Sequence, residues 1–175
     1  MKQIFLVRHA KSEWNFAGIT DYDRPLSERG HHDAPKMSQL LSDILTDIDA
    51  LISSTAQRAF TTAQYFAKAL HIEEEAIIKE PSLYHASDNS ILKTIQNLSN
   101  QYDSVCLFGH NPGISDLVAT FLTKYLFSEI PTCGVVKLVL NDNDWKNFNE
   151  KNVTLETYWF PKDVLEEYAK KDLKV

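Results

Sequence analysis

The residues best suited to chemistry in this chain stand where short apolar runs end. Ile4-Phe5-Leu6-Val7 runs straight into Arg8-His9, a fixed cation followed by an imidazole. A second run, ending at Ile52, leads into Ser53-Ser54-Thr55-Ala56-Gln57-Arg58. A third leads into Leu83-Tyr84-His85, and a fourth ends in Gly109-His110-Asn111-Pro112-Gly113. Two guanidiniums can grip phosphoryl oxygens as bidentate forks. A neutral imidazole is a good nucleophile toward phosphorus near neutral pH, and neighbouring arginines help keep it neutral. A second imidazole can hydrogen-bond an equatorial oxygen as charge spreads in the transition state. The expected chemistry is phosphoryl transfer through a phosphorylated histidine, with cations supplied by the protein. Taken singly, an Arg-His pair or a histidine beside a turn is more often structural or solvated. Their joint placement after four successive strands is what carries the inference.

The elements that must position these groups follow from periodicity. Residues 4–7, 50–52, 76–78 and 105–108 are expected as strands, the third of them weak. Strands are also expected at 135–140 and 153–160, pairing antiparallel across the turn that begins Asn141-Asp142-Asn143-Asp144. Ala34, Met37, Leu40, Leu41 and Ile44 mark one helical face. Ser27 could cap that helix, but Pro35 predicts a kink or a late start near Asp33, because a mid-helix proline costs about 3 kcal/mol. Ser54 or Thr55 is expected to cap the next helix, which places Arg58 in its first turn, where free N–H groups and the dipole favour an anion. Ser87 is expected to cap a helix with Ile91, Leu92, Ile95 and Leu98 inward. Asn111 and Pro112 open a helix to about Tyr125, and Pro161 opens a last one with Val164, Leu165 and Tyr168. Strands alternating with helices imply an α/β three-layer sandwich, with a mostly parallel central sheet flanked by helices. Such sheets bind ligands beyond the carboxyl ends of their strands.

Composition bounds the rest. The 175 residues suit one domain spanning 1–175. A formal net charge of −6 with scattered basic residues argues against nucleic acid or a membrane as partner. The early apolar run is too short for a signal or a membrane span, and Cys106 and Cys133 lack metal or redox spacing. A cytoplasmic, disulfide-free protein is expected, its oligomeric state open. His31, His32 and His71 sit in or beside helices. Adjacent His31 and His32 cannot share a helix face, so they read as a solvated pair. No metal and no cofactor is expected. The loop 16–22 and the segment 84–89 are the best candidates to line the entrance.

The ordered blocks resemble the histidine phosphatase superfamily. Arg8-His9-Ala10-Lys11-Ser12-Glu13-Trp14-Asn15 is similar to its phosphoglycerate-mutase branch, with Ala10 and Lys11 replacing the usual Gly and Glu. Asp23-Arg24-Pro25-Leu26-Ser27-Glu28-Arg29-Gly30, Ser53-Ser54 through Arg58-Ala59 with Thr62, and Gly109 to Gly113 look like its following blocks. Ala10 also resembles the small SixA-type phosphohistidine phosphatases. The resemblance implies that His9 is the phosphorylated nucleophile and that Arg8, Arg58 and His110 form the phosphate pocket. It implies substrate contacts at Asn15 and Ser12. Mutase-type members carry an acidic proton donor two residues beyond a Leu after the third strand, and His85 stands there. Two readings stay open: His85 is a weaker donor or phosphate contact, or no donor is needed. Both favour a labile substrate such as a histidine-phosphorylated protein. The alternatives are a small-molecule phosphomonoesterase or mutase of the same superfamily, and a non-catalytic phosphate- or phosphoprotein-binding module.

Overall fold

A computed structural model describes residues 1–14, 17–122 and 126–165. Six strands form one mixed sheet: β1 (Lys2–Arg8), β2 (Ala50–Ser53), β3 (Ile78–Lys79), β4 (Ser104–Gly109), β5 (Val135–Leu140) and β6 (Val153–Trp159), in the order β3-β2-β4-β1-β5-β6. The β1–β4, β2–β4 and β2–β3 pairs are parallel, and the β1–β5 and β5–β6 pairs antiparallel. Four helices flank the sheet: α1 (Glu28–Leu41), α2 (Gln57–Ala69), α3 (Asp88–Gln96) and α4 (Gly113–Thr120).

The apolar run of β1 is continuous because both its faces are covered. Ile4 and Leu6 join a core with Ile91, Ile95, Ile114 and Val118 of α3 and α4. Phe5 and Val7 join the opposite core with Ala34 and Met37 of α1 and Ala63 and Phe66 of α2. The result is an α/β sandwich of three layers. Its connections explain which helices lie where. From β1 to β3 the chain steps one way through α1 and α2. From β3 to β4 it steps back through α3. Right-handed crossovers then require opposite faces. The reversal leaves a crevice beyond the carboxyl ends of β1 and β4, where ligands of such sheets bind.

Several sequence expectations need correction. α1 starts at Glu28 and runs through Pro35 without interruption. Ser27 Oγ caps Gly30 N, which fixes the start. The face bearing His31 is exposed, so the His31 carbonyl that Pro35 leaves unpaired can meet water, while Ala34, Met37 and Leu41 bury the other face. Ile44 falls beyond the helix and is exposed. Neither Ser54 nor Thr55 caps α2; the N-cap position is Ala56, without a side-chain bond. β3 is only two residues, because Ala76 is drawn into a 3-10 turn. α4 begins at Gly113 and ends at Thr120; Tyr125 lies outside the described residues. Residues 161–165 are helical, and Tyr168 lies outside the described residues. Among the described residues, no helix is long and apolar enough to cross a membrane. Cys106 and Cys133 are buried free thiols, and burial pushes both above the ordinary thiol range.

Candidate active site

Arg8 and His9 leave the carboxyl end of β1 beside Gly109, whose carbonyl accepts His9 N at 3.1 Å. His9 is 8 % exposed. Its Nδ1 lies 2.7 Å from Ala10 O. A carbonyl only accepts, so Nδ1 carries the proton of the neutral ring and the Nε2 lone pair is free. Burial is the main force lowering its pKa, to about 3; the Ala10 carbonyl opposes this, and the charges of Arg58, Arg8 and Arg24 add to it. His9 is therefore an unprotonated imidazole at neutral pH, chemically able to act as a nucleophile.

The backbone that fixes this ring is stapled to α2. Ala10 N donates to Thr62 Oγ1 at 3.0 Å, and Thr62 Oγ1 donates to Arg58 O at 2.7 Å. Downstream, Ser27 N donates to Lys11 O, and that carbonyl would lie 2.1 Å from a Cβ on Gly30. Only a glycine lets α1 approach the loop so closely.

Across the crevice, His110 follows β4. Its ring centroid lies 5.1 Å from that of His9. Its Nε2 is 2.8 Å from Ser54 Oγ, and Ser54 Oγ also accepts Ala56 N at 3.4 Å. We assign the Ser54 hydroxyl proton to the His110 Nε2 bond, which leaves the proton of the neutral ring on Nδ1. Burial again dominates in lowering the His110 pKa to about 2, with His9, Arg58 and His85 adding and Asp21 opposing.

Two guanidiniums complete the wall. Arg8 Nη1 donates to Ile130 O at 2.6 Å. Asn111 Nδ2 donates to the same carbonyl at 3.1 Å, and Ser115 Oγ accepts Ile130 N. Asn111, expected as a helix cap, instead serves this clasp. Arg58 Nη1 donates to Asp21 O at 2.5 Å and Nη2 to Asp21 Oδ2 at 3.1 Å. Burial pulls both arginines below the usual range, with Glu129 opposing at Arg8 and Asp21 at Arg58; both stay charged at neutral pH. Among the described residues, three buried donors are left without partners: Arg8 Nε, Arg58 Nε and His110 Nδ1. Unpaired buried donors are costly, of order 1–3 kcal/mol each. All three residues line one cavity of about 230 Å³, together with His9. An anion seated there would lie beside residues that each carry a donor left unpaired within the described structure.

Comparison with known proteins agrees with this geometry. The model described as histidine phosphatase superfamily (branch 1) matches residues 4–85. A solved structure from Agrobacterium tumefaciens, bearing the name phosphohistidine phosphatase SixA, is 28 % identical; the match covers 90 % of this chain and 97 % of that one, with a TM-score of 0.74. The protein histidine phosphatase SixA complexed with tungstate is 22 % identical over 93 % of this chain and 99 % of that one, with a TM-score of 0.76, and shares the fold. Phosphoserine phosphatase 1 of Hydrogenobacter thermophilus is 40 % identical over 84 residues, 46 % of this chain and 36 % of that one.

Of the superfamily positions read from sequence, the structure brings Arg8, His9, Arg58 and His110 to one cavity, with Ser12 and His85 on its walls. Ser12 is buried and accepts Arg24 Nη1 at 2.9 Å. Asn15, with Phe16, lies outside the described residues. Both entrance segments contribute, through Asp21 and through His85. His31 and His32 turn to different partners, Tyr65 on one side and Asp33 and Lys36 on the other. The sequence reading missed Asp21, Tyr84 and the role of Ser54. Arg24 appeared there only as part of a motif block. It stacks 3.7 Å over Trp14 and pairs with Asp21 at 2.9 Å, roofing the cavity. The i,i+3 spacing of Asp21 and Arg24 was the available signal.

Proposed function

We propose that this protein is a phosphatase that works through a covalent phosphohistidine on His9, and that its type is that of the SixA phosphohistidine phosphatases. The observation that carries the proposal is the pairing of a neutral His9, its Nε2 free, with three unpaired buried donors on one small cavity. In this reading, Arg8 Nε, Arg58 Nε and His110 Nδ1 hold the phosphoryl oxygens. His9 Nε2 attacks phosphorus as the leaving group departs, and water then attacks the P–N bond, releasing phosphate and regenerating His9. Preorganised donors of this kind contribute about 10²–10³ in rate each. The positive charge that steadies the transferring group comes from the chain's own guanidiniums.

The favoured substrate is a phosphohistidine on a protein. The acidic donor of mutase-type members is replaced by His85, and a phosphoimidazole departs more readily than an alkoxide. The likeness to the Agrobacterium protein named SixA, over nearly the full length of both chains, supports this choice. A second reading, hydrolysis of a small phosphomonoester, is favoured by the 40 % identity over 84 residues to a phosphoserine phosphatase.

A substrate panel tests the proposal. Phosphohistidine in a phosphotransfer protein should be hydrolysed with a higher kcat/KM than phosphoserine or phosphoglycerate, and His9→Ala should abolish all turnover. Preference for a small ester would move the assignment to the second reading. Phosphate or vanadate binding without turnover of any substrate would make the protein a binding module.

A further inference from the structure

At the mouth of the cavity one carboxylate collects four side chains. Asp21 Oδ2 accepts Tyr84 Oη at 2.8 Å and Arg58 Nη2 at 3.1 Å, and lies 3.2 Å from His85 Nε2. Asp21 Oδ1 takes Arg24 through Nε at 3.0 Å and Nη2 at 2.9 Å. Burial pushes this carboxyl up, but the Tyr84 hydrogen bond and the charges of Arg58 and Arg24 outweigh it and hold the pKa at about 2. Asp21 is a fixed anion and has no proton to give.

His85 is held on the other side of that anion. Its φ is +51°, a left-handed conformation that non-glycine residues adopt at a cost. The neighbours keep it there. Leu83 is buried, the Tyr84 hydroxyl is tied to Asp21, and the Ala86 carbonyl sits where a Cβ on Gly113 would meet it at 2.1 Å. The His85 ring lies 4.1 Å from that of Tyr84 and 6.5 Å from that of His110, in a stacked orientation. Asp21 and Arg24 face it from the loop before α1, Arg58 from α2, Tyr84 from its own segment and His110 from the turn after β4. Asp21 is the one carboxylate among the described residues lining the cavity.

We propose that Asp21 and His85 together deliver the proton to the leaving group, with His85 as the donor and Asp21 as its positioning residue. This rests on the reading of His9 as phosphoryl acceptor. In the first step the His85 Nε2–H is kept facing Asp21 Oδ2, 3.2 Å from the ring nitrogen. The Nδ1 proton passes to the leaving oxygen or nitrogen as its bond to phosphorus breaks and the bond from His9 Nε2 to phosphorus forms. His85 is left neutral. In the second step a water attacks phosphorus and gives a proton to His85 Nδ1. The P–N electron pair returns to His9 Nε2, phosphate departs, and the His85 imidazolium is restored. A site so equipped is not confined to labile P–N bonds, and oxygen esters fall within its reach.

A leaving-group series tests the pair. kcat/KM is measured for phosphoserine, whose alkoxide needs a proton, and for 4-nitrophenyl phosphate, whose leaving group does not. In His85→Gln the alkyl-to-aryl ratio should fall by about 10²–10⁴-fold. It should fall similarly in Asp21→Asn. An unchanged ratio in His85→Gln overturns the donor. An unchanged ratio in Asp21→Asn, with both substrates slowed together, overturns the positioning role and leaves Asp21 acting through Arg58. A wild-type protein inert toward phosphoserine also overturns the proposal. Absence of a phosphoenzyme on His9 in the wild type removes instead the reading on which the pair rests.

Discussion

His9 owes its neutral form to two features, the Ala10 carbonyl that fixes its tautomer and the burial that keeps it uncharged. The same burial ties stability to pH. The folded pKa values of His9 and His110, about 3 and about 2, lie below the ordinary 6.5. Below pH 6.5 the unfolded chain therefore binds more protons than the folded one. The contribution is fully present above about pH 6.5 and is lost progressively as pH falls toward 3. Urea midpoints should drop between pH 7.5 and pH 5, and drop less in His110→Gln; equal midpoints in the wild type would contradict the burial of neutral rings. The contribution of Asp21 is lost only as pH falls from its ordinary 3.8 toward about 2, so the loss between pH 7.5 and pH 5 belongs to the histidines. Arg8 makes a second prediction. Its Nη1 is spent on Ile130 O, which leaves Nε for substrate. Lysine has a single donor nitrogen and cannot serve Ile130 O and a phosphoryl oxygen from two arms of a planar fork, so Arg8→Lys should cost about 10²–10³ in kcat/KM; wild-type activity in that variant would place the phosphoryl group elsewhere.

At the scale of elements, two helix starts hold the site's loops in place. Gly113 lets the Ala86 carbonyl abut α4, so Gly113→Ala should destabilise by about 1–3 kcal/mol in denaturant titrations. Pro35 offers the opposite case. α1 passes through it with one backbone bond missing, so Pro35→Ala should raise the urea midpoint, and a fall would mean that Pro35 contributes packing worth more than the bond. These elements also show how far the sequence could be read. β5 matches its expected bounds because its burial leaves an apolar run interrupted only by the half-buried Lys137. Ser87 caps α3 as its spacing predicts. Pro35 misled because helix propensity yields to packing: Ala34, Met37 and Leu41 bind the sheet whatever Pro35 costs. β3, two exposed residues, has no pattern to read. Arg8, His9 and His110 were legible because they stand at or just after a strand end, and Arg58 because it falls in the first turn of the helix that follows β2. Asp21 was not, since its partners Arg58, Tyr84 and His85 come from distant segments and an irregular loop carries no periodicity.

The whole molecule carries a formal charge of −6, yet its cavity gathers Arg8, Lys11, Arg24 and Arg58 against one carboxylate. A site with three idle buried donors should gain stability from any tetrahedral oxyanion that satisfies them. Tungstate or vanadate at about a hundred times its Kd should stabilise the fold by about 2.7 kcal/mol, seen as a rise in Tm that is lost in Arg58→Ala. No rise in the wild type would mean that the donors are not available to an anion. The account as a whole turns on one covalent bond. Rapid quench of the protein with substrate, followed by intact-mass measurement and peptide mapping, should show one added phosphoryl group on His9, labile to acid and absent in His9→Ala. Turnover with no phosphoryl group on His9, or turnover undiminished in His9→Ala, would contradict it.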